Sequence, residues 1–257
     1  MKNYGLVKFS VILLSISIAI PGQAAEYEAA IKFAHRITMS LPVTGQVDVI
    51  NVHPGQNFKQ GQTLLALDLT PFNSEVAQSQ SQLTKSSADF KEADRDYNHL
   101  KELYDRGVLS NVELENGQFK QQQAKADLEA AEAKLAQAKY DLAHARIVAP
   151  FNGWVLDVNI NQSETTNNNL QSQPLLVVAE ADKYIARILV PISAVRKYKI
   201  GHSGSIVIGT SKFSGSVVAI GIEPIPAKND SQLYAIDLKF NSNGLLLRPG
   251  QKGKISL

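Results

Sequence analysis

No cysteine occurs in the 257 residues. Disulfides, thiolate metal sites, a cysteine nucleophile and a lipid-modified N-terminal cysteine are therefore excluded. Charge of one sign is equally lacking. Removing Lys2 and Lys8, which fall in a segment discussed next, from the 26 basic residues leaves 24, equal to the 24 acidic ones. A chain so balanced has no electrostatic footprint for nucleic acid. The five histidines, His35, His53, His99, His144 and His202, show no ligand spacing, and beyond the initiator Met39 is the sole methionine. No metal site follows from either residue type. No Ser/His/Asp arrangement stands out and no glycine-rich phosphate loop is present, so the sequence implies no catalytic residue and no cofactor. Phe151 and Trp154 are read as core packing rather than as a ligand platform.

Long apolar runs are missing too, apart from one at the start. Lys2 and Lys8 precede Phe9 to Ile20, and Pro21-Gly22-Gln23-Ala24 follows, with small residues at the −3 and −1 positions. This is the pattern of a secretory signal over 1–24, cut after Ala24. The run spans a bilayer poorly. A cysteine-free secreted chain suits a periplasm, and any later membrane association runs through a partner.

What is abundant is a heptad. Val76, Leu83, Phe90, Tyr97 and Tyr104 fall every seven residues, with Ser79, Ser86, Ala93 and Leu100 three later. Leu114, Leu128, Leu135 and Leu142 share one heptad position, which Gln121 interrupts. Gly117, Ala124, Ala131, Ala138 and Ala145 share the other. A sustained seven-residue repeat specifies a supercoiled helix pair, and large residues alternating with small ones allow close approach. Thr70-Pro71 reads as an N-cap followed by an N1 proline. Gly107 reads as a left-handed helix stop, and Ser110-Asn111-Val112-Glu113 as a capping box that restarts the helix. Two antiparallel helices over 70–146, with the tip near 105–111, form a rod about 50 Å long at 1.5 Å per residue. So thin a rod is a spacer or an interaction arm, not a domain core.

The flanks of the rod repeat one another. Pro42, Gly45, Val47 and Asn51 recur 108 positions later as Pro150, Gly153, Val155 and Asn159, and Leu64-Leu65 corresponds to Leu175-Leu176 with three extra residues. Neither copy buries an apolar face alone. Segments 41–69 and 147–181 are therefore expected to close on each other as one small β sandwich, with the rod as an excursion from it. The helix runs without a linker into Pro150 because the chain is returning to a domain it has already begun. Residues 182–257 read as a β-barrel domain from "YIARILVP", "GSIVIG", "GSVVAIGI" and "QLYAIDLKF", with a short helix at Ser193 to Tyr198. Within 25–40, Glu28 to Phe33 is a candidate barrel strand.

With "VTGQVDVINVHPGQNFKQGQTLLALD", "ARIVAPFNGWV" and "LRPGQKGKISL" placed in this order around a heptad hairpin, the chain resembles the HlyD-like periplasmic adaptor (membrane fusion protein) family. The resemblance implies an α+β fold: a biotinyl-lipoyl-like sandwich split by a coiled-coil hairpin and followed by a small β-barrel. The family's membrane-proximal domain is expected to be absent or much reduced here. It implies a non-enzymatic subunit of a tripartite pump, with an inner-membrane transporter of RND or ABC type and an outer-membrane channel as partners, and a homo-oligomer, usually a hexamer. At the hairpin tip, efflux members carry Arg-x3-Leu-x6-Ser for channel contact; the matching positions are His99, Leu103 and Ser110. Histidine stands where arginine is usual, and a histidine carries that charge only in its protonated form, the minor one at neutral pH. Arg106 is the alternative cation. Ser110 also reads as the N-cap, and Leu103 reads equally as docking surface or as packing against the partner helix. A true carrier domain presents its modified lysine where the hairpin begins; "LDLTPFN" has none, which sets aside an acyl-carrier subunit. The rival reading is a periplasmic coiled-coil scaffold that forms no conduit.

Overall fold

The computed structural model describes residues 26–167, 173–226 and 232–257. The signal segment expected over 1–24 lies outside them. In chain order the elements begin with β1 (Glu26–Phe33), β2 (Arg36–Met39), β3 (Gly45–Ile50), β4 (Asn57–Phe58) and β5 (Thr63–Leu67). Two long helices follow, α1 (Thr70–Asp105) and α2 (Asn111–His144). Then come β6 (Arg146–Val148), β7 (Gly153–Val158), β8 (Thr165–Thr166), β9 (Leu176–Glu180), β10 (Lys183–Pro191) and α3 (Ile192–Val195). The chain continues through β11 (Ser203–Ile208), β12 (Ser211–Ile220), β13 (Ile225–Pro226), β14 (Gln232–Asn241) and β15 (Lys252–Ser256). Two compact units result, one over 26–30, Ala186–Leu238 and Lys252–Leu257, the other over Ile31–Ile185 and Lys239–Gln251.

The second unit contains the sandwich and the hairpin. Its two four-stranded sheets have the orders β2-β9-β7-β4 and β6-β5-β3-β8. The 108-residue repeat explains them. β3 and β7 are equivalent, each lies between the other half's short strand and its own half's long one, and the short strands are exchanged: β4 joins β7 and β8 joins β3. Even the irregularities correspond, with register shifts at Val47/Val49 and at Val155/Asp157. The Gly55 N–H donates to the Val155 carbonyl at 2.8 Å and the Val155 N–H to the Gln56 carbonyl at 2.9 Å. The partner turn repeats this: Ser163 donates to Val47 and Val47 to Glu164, both at 2.8 Å. Leu41, Val47, Leu64, Leu65, Leu67, Ile147, Val155, Leu175, Leu176 and Val178 form the shared core. Phe151 packs against it, whereas Trp154 turns to the outer face of β7, because strand alternation gives the inward places to Gly153 and Val155.

The hairpin springs from an antiparallel strand pair: β5 pairs with β6, and the Leu67 N–H donates to the Ala145 carbonyl at 2.9 Å. Along its length the heptad positions form the seam, with Ser79, Ser86, Gly117, Ala131, Leu135 and Ala138 buried. Tyr104, the last of its series, is exposed where the helices part. At Gly117 an added Cβ would stand 2.5 Å from Leu100 Cδ1, so Leu100 would have to shift within the seam to admit it. At the heptad interruption, the Gln121 side-chain amide donates to Asp94 Oδ1 at 2.6 Å, a polar cross-link that fixes register. The start of α1 differs from expectation. Leu69, not Thr70, occupies the N-cap, and Thr70 is already helical. Asp68 performs the capping from outside, accepting the Thr70 N–H at 2.9 Å. Hydrogen bonds from Thr70 hold the Asp68 carboxyl below its ordinary pKa.

In the first unit and the strands that complete its sheet, β10-β1-β15-β11-β12-β14 close into a ring of six through a β14–β10 pairing, with β13 added beside β14. Ile188, Ile206, Ile236, Leu238 and Ile255 are fully buried. At the closing strands Arg187 grips Asp237 through two bonds of 2.7 and 2.6 Å. Asp237 is 8% exposed, so the pairing compensates a charge otherwise costly to bury. That bond to Asp237 raises the already high pKa of Arg187. The short helix expected at Ser193 to Tyr198 is shifted, spanning Ile192–Val195 and ending in a turn.

Candidate partner-docking site at the hairpin tip

Three local devices build the tip. Arg106 ends α1 and Gly107 takes φ +75°, the left-handed region that reverses the chain. The Gly107 N–H donates to the Tyr104 carbonyl at 2.8 Å and the Val108 N–H to the Leu103 carbonyl at 3.0 Å. These two bonds satisfy carbonyls that a helix end leaves open. On the returning side Ser110 caps α2 reciprocally: the Glu113 N–H donates to Ser110 Oγ at 3.4 Å and the Ser110 N–H to Glu113 Oε2 at 3.1 Å. The Ser110 hydroxyl also donates to that carboxylate, at 2.7 Å. These bonds hold the Glu113 carboxyl below its usual pKa, with the Ser110 side chain the larger cause.

The reversal brings the end of α1 against the start of α2 and places the sequence-derived residues unequally. His99 and Arg106 are exposed and, seven apart, lie on one side of α1. Leu103 is half-buried, and Ser110, though exposed, has its hydroxyl engaged in the cap. Two residues not singled out from the sequence dominate the surface instead: Val108, 73% exposed, and Val112, 65% exposed. Their signal is the stretch "VLSNV", branched apolar residues either side of a polar turn, where a merely solvated loop has none. The tip thus exposes a small apolar surface, Val108 and Val112, with the exposed Arg106 close to it in sequence. Among the described residues no group of three or more His, Asp or Glu is placed to hold a metal ion. No described helix is long and apolar enough to cross a membrane.

The comparisons with known proteins agree with this construction. A family model for the YBHG alpha-helical hairpin domain matches residues 47–148. The chain is 27% identical over 229 residues to the multidrug resistance protein MdtA of Photorhabdus laumondii, covering 86% of this chain and 56% of that protein. It thus spans little more than half the length of that relative. In fold it is similar to the membrane fusion protein Spr0693 of Streptococcus pneumoniae, with a TM-score of 0.70, 15% identity, and coverage of 90% of this chain and 97% of that one. A MacA–MexA chimera carrying the Pseudomonas aeruginosa MexA α-hairpin gives a TM-score of 0.67 at 18% identity, covering 90% of this chain and 80% of the other.

Proposed function

This chain carries the YBHG hairpin domain on the fold of the membrane fusion proteins, and from that premise we propose that it is the periplasmic adaptor of a tripartite efflux or secretion pump. The observation that carries the reading is the hairpin's construction. Two helices of 36 and 34 residues leave and re-enter one strand pair of a closed sandwich and end in a doubly capped tip. Such an arm is rigid along its length, costs little to extend because each helix pairs locally, and serves to span a distance. His99, Leu103, Arg106 and Ser110, together with Val108 and Val112, dock on the helical ends of an outer-membrane channel. Arg106 supplies the cation there, and Ser110 acts by holding the turn in shape. The barrel side faces an inner-membrane transporter of RND or ABC type. Copies stand side by side as a ring, a hexamer by the family's habit, and substrate passes inside. The adaptor is not an enzyme; the transporter provides the energy.

Photo-cross-linking residues placed at Arg106 and at Ile222, a barrel-side residue 92% exposed, test this in intact cells. Mass spectrometry of the adducts should identify an outer-membrane channel from the tip and a transporter from the barrel. Recovery of neither would replace the pump reading with the scaffold.

A further inference from the structure

One rim of the six-stranded ring is fixed by its registers. Glu26, at the start of β1, pairs with Ser256 at the end of β15, and Ser256 pairs in turn with Ser205. Ser203, at the start of β11, pairs with Ser216 on β12, which runs on from there to Ile220 and ends at the same rim. The segment that leaves β10 crosses the mouth. Tyr27 shares the strand parity of the buried Ala29 and Ile31, so its ring turns inward, and the Tyr198 hydroxyl donates to its hydroxyl at 3.3 Å. Past α3 the Lys197 N–H donates to the Ala194 carbonyl and the Tyr198 N–H to the Val195 carbonyl, at 3.0 and 3.1 Å. Ala194 and Tyr198 are the buried residues of this plug. Ile192, Arg196, Lys197, Lys199 and Ile200 are exposed on its outer side.

That outer side is both cationic and apolar. Ile192 is 50% exposed and Ile200 72%, and Ile222, just past the end of β12, is 92% exposed. The ion pairs of this unit join Arg187 to Asp237, Lys252 to Glu28 and Lys254 to Glu26. Among the described residues Arg196, Lys197 and Lys199 are left without one, and Glu223 is the remaining acidic side chain of the rim. The whole chain has a formal net charge of only +2, so the excess is local.

One exposed isoleucine on a protein surface is ordinary. Three on one rim, interleaved with three unpaired cations, match a surface of phosphates backed by hydrocarbon. The cations meet headgroups and the branched side chains enter the acyl boundary. An acidic protein would also satisfy the cations, but isoleucines on separate loops give it no continuous face to pack on.

We propose that this rim, 192–200 together with Ile222, rests directly on an anionic lipid surface. No described helix is long and apolar enough to cross a membrane, so the contact is peripheral. It also needs no partner, unlike the association expected from the sequence. The inference goes beyond the adaptor reading, because the surface is defined by its own charge and exposure.

Flotation of the full chain with vesicles tests it, using phosphatidylglycerol and phosphatidylcholine in equal parts or phosphatidylcholine alone. Binding to the anionic vesicles only, weakening as salt rises, is expected. Each cation near such a surface contributes about fivefold in partition. Arg196→Gln, Lys197→Gln and Lys199→Gln together should therefore weaken binding about a hundredfold, and Ile200→Ser alone about fivefold. Lys85→Gln, Lys91→Gln and Lys101→Gln on the hairpin remove equal charge and should change it less than about twofold. Circular dichroism of every variant should match that of the parent chain. Equal binding to neutral vesicles, equal loss from the hairpin variant, or no loss from the rim variants would overturn the assignment. In intact cells a photo-cross-linker at Ile200 should acquire the mass of a phospholipid. A protein adduct alone would give the rim to an acidic protein surface instead. Channel capture from Arg106 without vesicle binding removes the lipid contact and leaves docking intact, and vesicle binding without channel capture does the reverse.

Discussion

An alanine at Gly153 would place its Cβ 2.2 Å from the Ala179 carbonyl oxygen and 2.7 Å from Phe58 Cζ. The first of these is backbone of the neighbouring strand β9, so β7 and β9 would have to part. Its counterpart Gly45 is more forgiving, because the nearest atom there, Leu67 Cδ1 at 2.9 Å, ends a flexible side chain. Gly55 presents the opposite case: φ is +85° and nothing lies within 4 Å of the added atom, leaving only backbone strain. Gly153→Ala is expected to cost about 3–5 kcal/mol, and Gly55→Ala about 1–2 kcal/mol. Urea unfolding of the two variants checks this. Equal midpoints would mean that β7 and β9 do not approach as closely as described.

At the scale of the element, the α2 cap couples folding to protonation. The folded-state pKa of Glu113 is depressed by Ser110. Its stabilisation is therefore complete above the unfolded carboxyl's pKa and disappears as pH falls through the lower, folded value. Ser110→Ala should raise the Glu113 titration midpoint, read by NMR, toward the ordinary glutamate range and cost about 1 kcal/mol. An unmoved midpoint would dismiss the reciprocal cap. This element is legible in the amino-acid sequence, because a heptad, a left-handed glycine and a capping box are local patterns with one geometric solution each. The start of α1 is not, since Thr70 and Asp68 both satisfy the cap chemistry and only the backbone path out of β5 decides between them. Trp154 departs from expectation for a similar reason. Its size argues for the core, but the parity of β7 is set by Gly153, whose own place depends on Ala179, 26 residues away. At the tip, the sequence pattern supplies Leu103 and Ser110, while the exposure of Val108 and Val112 arises only once Gly107 turns the chain.

For the whole molecule, the attachment of the hairpin to β5 and β6 allows arm and sandwich to be separated. Replacing residues 68–144 with Asn-Gly joins Leu67 to Ala145 through a two-residue turn of the type antiparallel strands favour. The shortened chain should lose its helical signal, keep a cooperative β transition, and recover no channel on cross-linking. Leu69 and Phe72, which pack partly on the core, would be removed with the arm, lowering stability by about 1–3 kcal/mol. A shortened chain that fails to fold would show the arm to be part of the sandwich's own architecture.

The exchange of β4 and β8 also sets an order of events during synthesis. When residues up to 69 have emerged, only the β3–β5 ladder can form, and an isolated strand pair is marginal in water. Everything else the first half needs is encoded more than 75 residues downstream. The helices fold from contacts near in sequence at their turn, and as they zip they carry β6 to the waiting β5, shortening the loop the strands must close. The arm thus acts first as the assembly jig of its own base, and a chain halted before α2 is complete would expose an unfinished sheet edge to whatever binds unfolded proteins.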